Sequence, residues 1–122
     1  MSTLKVDNIQ ATGETATRAV SGVAAAEIKY NTSSNVVSGS VNVSSTTDIN
    51  SAADTISLTS AMSNATYRIV GAANGSDTAY NNGRWIAPYS YAASSFNIAS
   101  QSATATLTSS TAMNVVIHGD LA

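Results

Sequence analysis

The chain has no cysteine, one histidine, one proline and few charged residues, which make up 10% of its 122 positions. Without cysteine there are no disulfides and no thiolate metal ligands. Five Lys and Arg stand against seven Asp and Glu, so no basic stripe can neutralise phosphates and we expect no nucleic-acid partner. No apolar run approaches the roughly 20 residues that a membrane span needs, so we expect no membrane insertion.

Catalytic and metal-binding side chains are also scarce. The only histidine, His118, precedes Gly119 and Asp120 at the end of a predicted strand, and no G-x-S-x-G elbow accompanies it. Asp48 and Asp54 flank a polar segment that does not follow the calcium-loop pattern, so a solvated turn is the favoured interpretation there. We therefore expect no enzymatic activity, no metal and no cofactor.

Large apolar side chains are the third shortage. Of the 43% hydrophobic residues, about twenty are alanine, and Val, Ile, Leu and Phe together make up only about a fifth of the chain. Apolar burial contributes about 25 cal/mol per Å², whereas ordering one residue costs roughly 1.5 kcal/mol. A monomer with so small a core would be marginally stable, so we expect a homo-oligomer, with a homotrimer as the favoured form.

The residues that are present alternate between apolar and polar with a period of two, which predicts β structure. Asn-, Gly- and Ser-rich turns separate the strands and favour an antiparallel β-sandwich or jelly roll, an all-β fold, over alternating βαβ units. Turns are expected at residues 31–35, 48–54 and 73–83. The predicted strands cover residues 3–10, 37–43, 55–60, 67–73, 83–91, 95–99, 104–108 and 113–118.

Residues 11–26 do not follow this pattern, because they are mostly small and lack large apolar side chains. A flexible linker, a loose helical turn and an extended arm held by a partner are all consistent with such a composition. We divide the chain into an N-terminal anchoring arm, residues 1–26, and a β-sandwich domain, residues 27–122. The residues expected to anchor the arm are Leu4, Val6, Ile9, Arg18 and Val20.

Aromatic residues are concentrated in the strand predicted at residues 83–91, downstream of a polar loop. A role in the core or in a subunit interface is favoured for them, and the alternative is a stacking platform for a sugar. Pro88 predicts an edge strand or a bulge, because proline cannot donate to a central ladder. The residues of this candidate platform are Asn81, Asn82, Arg84, Trp85, Tyr89 and Tyr91.

Several segments resemble a family of small tail-fibre-like appendage proteins in the virions of marine and cyanobacterial tailed phages. The likeness is carried by MSTLKVDNIQATGETATRAVSGVAAA at the start of the chain, and it continues in NVSSTTD, TISLTSAMSNATYRIVG and VVIHGD. It fades between Ala72 and Ala112. One departure is Glu27, which stands where the family commonly has an aromatic residue after the alanine run.

The resemblance implies a non-enzymatic virion structural protein that assembles in the bacterial cytoplasm. It implies that the arm joins the virion or a neighbouring subunit and that the β domain projects outward, as in a short tail fibre or appendage. Capsid decoration is the alternative location, and a module that binds host surface polysaccharide is the alternative of a different class. The expected partners are copies of the chain itself and other virion proteins.

Overall fold

The computed structural model describes residues 8–9, 18–19, 24–75 and 83–122. Within these ranges every regular element is a strand and there is no helix, so the all-β prediction is confirmed. The strands are β1 (Asn8–Ile9), β2 (Arg18–Ala19), β3 (Ala24–Asn31), β4 (Val36–Val41), β5 (Val43–Asn50), β6 (Ala53–Leu58), β7 (Arg68–Asn74), β8 (Arg84–Ala92), β9 (Ser95–Ser102) and β10 (Ala112–His118).

Eight of the strands form one antiparallel sheet in the order β4-β3-β10-β7-β8-β9-β6-β5, and β1 pairs with β2 separately. Strands β7, β8 and β9 are sequential neighbours, and β10 returns to lie beside β7, which is the Greek-key connection. In the part of the chain that the structure describes, only the pair Ala73 and Arg84 joins β7 to β8 in register. The sheet therefore consists of a first half (β4-β3-β10-β7) and a second half (β8-β9-β6-β5).

The two halves enclose the hydrophobic core, because alternate residues of the central strands point inward. Strands β3 and β10 contribute one side of the core, and β6 and β9 contribute the other. The Tyr30 hydroxyl reaches across from β3 to Asp54 on β6, at 2.8 Å. The largest fully buried apolar side chains are Tyr30, Phe96, Ile56, Met62, Ile98, Met113, Ile117 and Val115.

A glycine permits close contact between β7 and β10. A Cβ atom on Gly71 would lie 2.3 Å from the Asn114 carbonyl oxygen and 3.0 Å from the Val115 Cα atom. Both atoms belong to the backbone of β10, which cannot move aside without breaking its ladder. Any other residue at position 71 would therefore separate the two strands.

The structure corrects three details of the predicted strand pattern. The strand predicted at residues 104–108 is a turn region with a single bridge between Leu107 and Gln101. The strand predicted at residues 37–43 is divided at Asn42. This residue has a left-handed φ of 56°, which interrupts the extended backbone between β4 and β5. Most of the predicted turn at residues 48–54 is strand, because only Ser51 and Ala52 separate β5 from β6.

The predicted arm is described only in part. Strands β1 and β2, which include Ile9 and Arg18, pair antiparallel with each other. Strand β3 begins at Ala24, three residues before the predicted domain boundary, and Ala26 is fully buried in the core. The predicted anchoring residues Leu4, Val6 and Val20 lie outside the described residues.

Candidate functional site

Strand β8 carries most of the candidate platform and lies at the seam between the two halves of the sheet. Beyond Arg84 no register pair links β8 to β7, whereas β8 pairs with β9 from Arg84 to Tyr89 and again at Ala92. Pro88 faces Ile98 on β9. Strand β8 is therefore not an edge strand, because it lies between β7 and β9 in the sheet order, but on its β7 side Pro88 has no register pair among the described residues.

Trp85 and Tyr89 share the outward face of the second half of the sheet. Their side chains are 51% and 39% exposed, so the core interpretation of Trp85 is wrong. Each lies opposite an amide side chain on β9, with Gln101 facing Trp85 and Asn97 facing Tyr89. The outward direction follows from the alternation on β9, where Phe96 and Ile98 point into the core.

A β-bulge moves Tyr91 away from this outward face. The register with β9 shifts between Tyr89 and Ala92, and Ser90 within the bulge has a φ of 52°. The Tyr91 ring packs instead against Tyr67, with ring centroids 5.3 Å apart and planes tilted by 55°. The predicted alternation of aromatic residues along one face therefore ends at Tyr89.

Two other predictions concern the loop before β8. The Arg84 guanidinium lies beside Gly75, where an added Cβ would be 3.1 Å from Arg84 Cζ. Asn81 and Asn82 lie outside the described residues. Of the six candidate platform residues, the structure thus brings Trp85 and Tyr89 together on one face.

The strand register adds residues that the sequence did not single out. Trp85 is the first member of a row across the strands that continues through Gln101 to Leu107. A second row runs from Tyr89 through Asn97 and Thr55 to Thr47. The alanines at positions 87, 99 and 53 occupy the row between them. No local sequence signal could reveal these rows, because each joins residues from distant parts of the chain.

The strands at the two ends of the sheet are consecutive in the chain and largely exposed. We call residues 36–50, which comprise β4, Asn42 and β5, the edge ribbon. Every residue of β4 is exposed, as are six of the eight residues of β5. Among the described residues, β4 pairs only with β3 and β5 pairs only with β6. The large apolar side chains exposed on the edge ribbon are Val36, Val37, Val41 and Ile49.

Asp54 is the buried carboxyl group among the described residues of the core. Its side chain is fully buried, and Oδ2 has no hydrogen-bond partner. Burial raises the pKa of Asp54, the hydrogen bond from Tyr30 opposes that rise, and the charge of Asp48 adds to it. Burial also raises the pKa of Tyr30, together with the adjacent Asp54. Asp54 belongs to strand β6, so the predicted solvated turn does not include it.

His118 lines a surface pocket of about 270 Å³ that Ser63 and Asp120 also border. The Ser63 amide donates to the Asp120 carbonyl oxygen at 2.7 Å, and the Ser63 hydroxyl accepts from the Asn64 amide at 3.3 Å. The first contact joins two backbone groups, and the second joins a side-chain amide to a hydroxyl.

Within the described residues, no three His, Asp or Glu side chains form a group that could hold a metal ion. The same part of the chain contains no helix that is long and apolar enough to cross a membrane. Comparisons with protein-family models, with curated proteins and with solved structures find no match to the chain.

Proposed function

We propose that the chain is a non-enzymatic structural subunit of a bacteriophage particle that assembles with copies of itself. The sequence resemblance supports the virion role, and the exposed edge ribbon supports self-assembly. In this proposal residues 1–26 dock a short tail fibre or appendage onto the particle. The alternative position in the particle is capsid decoration.

The edge ribbon carries the proposal for self-assembly because it combines two features that monomeric proteins avoid. Strands β4 and β5 each have one edge without a strand partner among the described residues, and such edges pair readily with another chain. The ribbon also exposes four large apolar side chains, among them Val36 and Val41, each 52% exposed. Pairing between copies would satisfy the open backbone groups and bury these side chains together.

Light scattering at micromolar protein concentration tests the proposal. We expect a homotrimer, with three times the 12.4 kDa mass of the chain. Val41→Lys places a charge on the ribbon and should shift the mass toward the monomer. Val70→Lys is the matched control, because Val70 is also 52% exposed but lies on β7, and it should keep the wild-type mass.

A monomeric wild-type protein would overturn the proposed self-assembly, and equal dissociation of both lysine variants would overturn the role of the edge ribbon.

A separate experiment addresses the arm. Deletion of residues 2–22 should abolish cosedimentation with purified phage particles while the antiparallel β signal in circular dichroism is kept. Cosedimentation of the shortened chain at the wild-type level would contradict docking through the arm.

A further inference from the structure

The outward face of β8, β9 and β6 has an arrangement of side chains that self-assembly through the edge ribbon does not use. Trp85 and Tyr89 lie four residues apart on β8, which separates their Cα atoms by about 13 Å along the strand. Only Ala87 lies between them on that face. The two exposed aromatic rings thus lie on one extended strand, and the face between them carries only the small side chain of Ala87.

Amide and hydroxyl groups lie directly beside the two rings. Gln101 and Asn97 face Trp85 and Tyr89 across the β8–β9 ladder. The Thr55 hydroxyl donates to Asn97 Oδ1 at 2.9 Å, which fixes the amide plane and leaves its NH₂ group as the part that can donate to a ligand. Both rows therefore offer an aromatic ring with a hydrogen-bonding group next to it.

The two rows contain no charged side chain. Trp85, Gln101 and Leu107 form one row, and Tyr89, Asn97, Thr55 and Thr47 form the other. Nucleic acid would require Lys or Arg to neutralise phosphates. A ligand with alternating C–H faces and hydroxyl groups, but without charge, matches rings flanked by amides and hydroxyls.

We propose that the face formed by these two rows binds a neutral oligosaccharide, with sugar rings stacked on Trp85 and Tyr89 and hydrogen-bonded by Gln101 and Asn97. The separation of about 13 Å between the Trp85 and Tyr89 Cα atoms suits a linear chain of several sugar units lying along β8. This binding role goes beyond the proposed structural function, and the aromatic and amide side chains that carry it lie on β8 and β9, outside the edge ribbon.

Trp85 is the only tryptophan in the chain, so its fluorescence reports on this face directly. The probes are cellohexaose, laminarihexaose and maltohexaose, each titrated to about ten times the ~1 mM Kd of a weak complex. We expect a saturable blue shift of the Trp85 emission with at least one of them. Dextran sulfate should give no saturable shift, because the two described rows contain no Lys or Arg to pair with sulfate.

Two tyrosine variants provide a matched comparison. Tyr89 and Tyr91 are both 39% exposed, but Tyr91 packs on Tyr67 and lies off the face. Tyr89→Ala should weaken sugar binding by about tenfold or more, as expected for loss of an aromatic anchor. Tyr91→Ala should keep the wild-type Kd, and calorimetry should show the loss of binding in Trp85→Ala.

Three binding results would overturn the proposal. They are no saturable response to any of the neutral probes, binding of dextran sulfate alone, and equal loss of binding in the two tyrosine variants. Light scattering distinguishes a subunit contact from a sugar site. If Tyr89→Ala lowers the oligomer mass, the face is an interface between copies and not an oligosaccharide site. The proposal for the edge ribbon is tested separately, by Val41→Lys and Val70→Lys.

Discussion

The Tyr30 hydroxyl lies 2.8 Å from Asp54 Oδ1 and 3.0 Å from Asn35 Oδ1, so one hydroxyl proton faces two acceptor oxygens. The Tyr30 hydroxyl donates to Asp54 Oδ1, while Asp54 Oδ2 has no hydrogen-bond partner. Burial raises the pKa of Asp54, although the hydrogen bond from Tyr30 opposes the rise.

The raised pKa makes stability depend on pH. Folding favours the protonated form of Asp54, so the contribution of this group to the free energy of unfolding is complete below its ordinary pKa of 3.8. That contribution is lost as the pH rises through the raised pKa of the folded state. Asp54→Asn keeps a neutral side chain and should remove this loss, giving a flatter stability profile and a more stable protein at neutral pH.

Urea unfolding between about pH 3 and pH 8 measures the profile. The exposed Asp120→Asn variant is the control and should keep the wild-type slope. Parallel profiles for wild type and Asp54→Asn would show that the buried carboxyl does not hold its proton more tightly in the folded state.

A buried pair of residues, Thr32 and Ser110, joins the end of β3 to the segment before β10 by hydrogen bonds. The Thr32 amide donates to the Ser110 carbonyl oxygen at 2.9 Å, and the Ser110 amide donates to Thr32 Oγ1 at 2.7 Å. Thr32→Val keeps the shape but leaves the Ser110 amide without its acceptor, which should cost about 1–3 kcal/mol of stability. The exposed Thr59→Val should change stability by less than about 0.5 kcal/mol in the same denaturant titration. Equal effects of the two variants would contradict this role of Thr32.

The Asn42 corner combines a left-handed backbone with three side-chain hydrogen bonds. With a φ of 56°, its amide donates to the carbonyl oxygens of Ala25 and Ser60, and its Oδ1 accepts from the Ser60 amide. Asn42→Gly loses the bonds but tolerates the backbone, whereas Asn42→Ala loses the bonds and adds about 1–2 kcal/mol of strain. In thermal unfolding, the wild type should have the highest Tm, Asn42→Gly a lower Tm and Asn42→Ala the lowest. An alanine variant as stable as the glycine variant would contradict the strain argument.

The period-two pattern was sufficient to predict antiparallel strands where one face is apolar. Strands β9 and β10 are examples. Strand β5 was not predicted in full, because its sequence, VSSTTDIN, has few apolar residues to mark a buried face. The segment at residues 104–108 shows the opposite error, since its alternation lies in an exposed turn.

The candidate site was predictable only in part, for a different reason. The aromatic residues could be located, but the face on which each one lies depends on the bulge at Ser90 and Tyr91. The neighbours Gln101 and Asn97 depend on the register between β8 and β9. Register is set by pairing over the whole sheet and by the buried pattern on both strands, so it cannot be derived from one segment.

Exposure of Trp85 predicts that its removal costs little stability. Trp85 is 51% exposed, whereas Phe96 is fully buried. Phe96→Ala should cost about 3–5 kcal/mol, because it leaves a cavity between the two halves of the sheet. Trp85→Ala should change stability by about 0.5 kcal/mol or less, as is usual for surface substitutions, and should shift the Tm by only a few degrees.

Thermal unfolding at several protein concentrations tests this prediction. It also detects a subunit contact, since the Tm of an oligomer rises with concentration. A large loss of Tm in Trp85→Ala that grows with protein concentration would place Trp85 in an interface between copies.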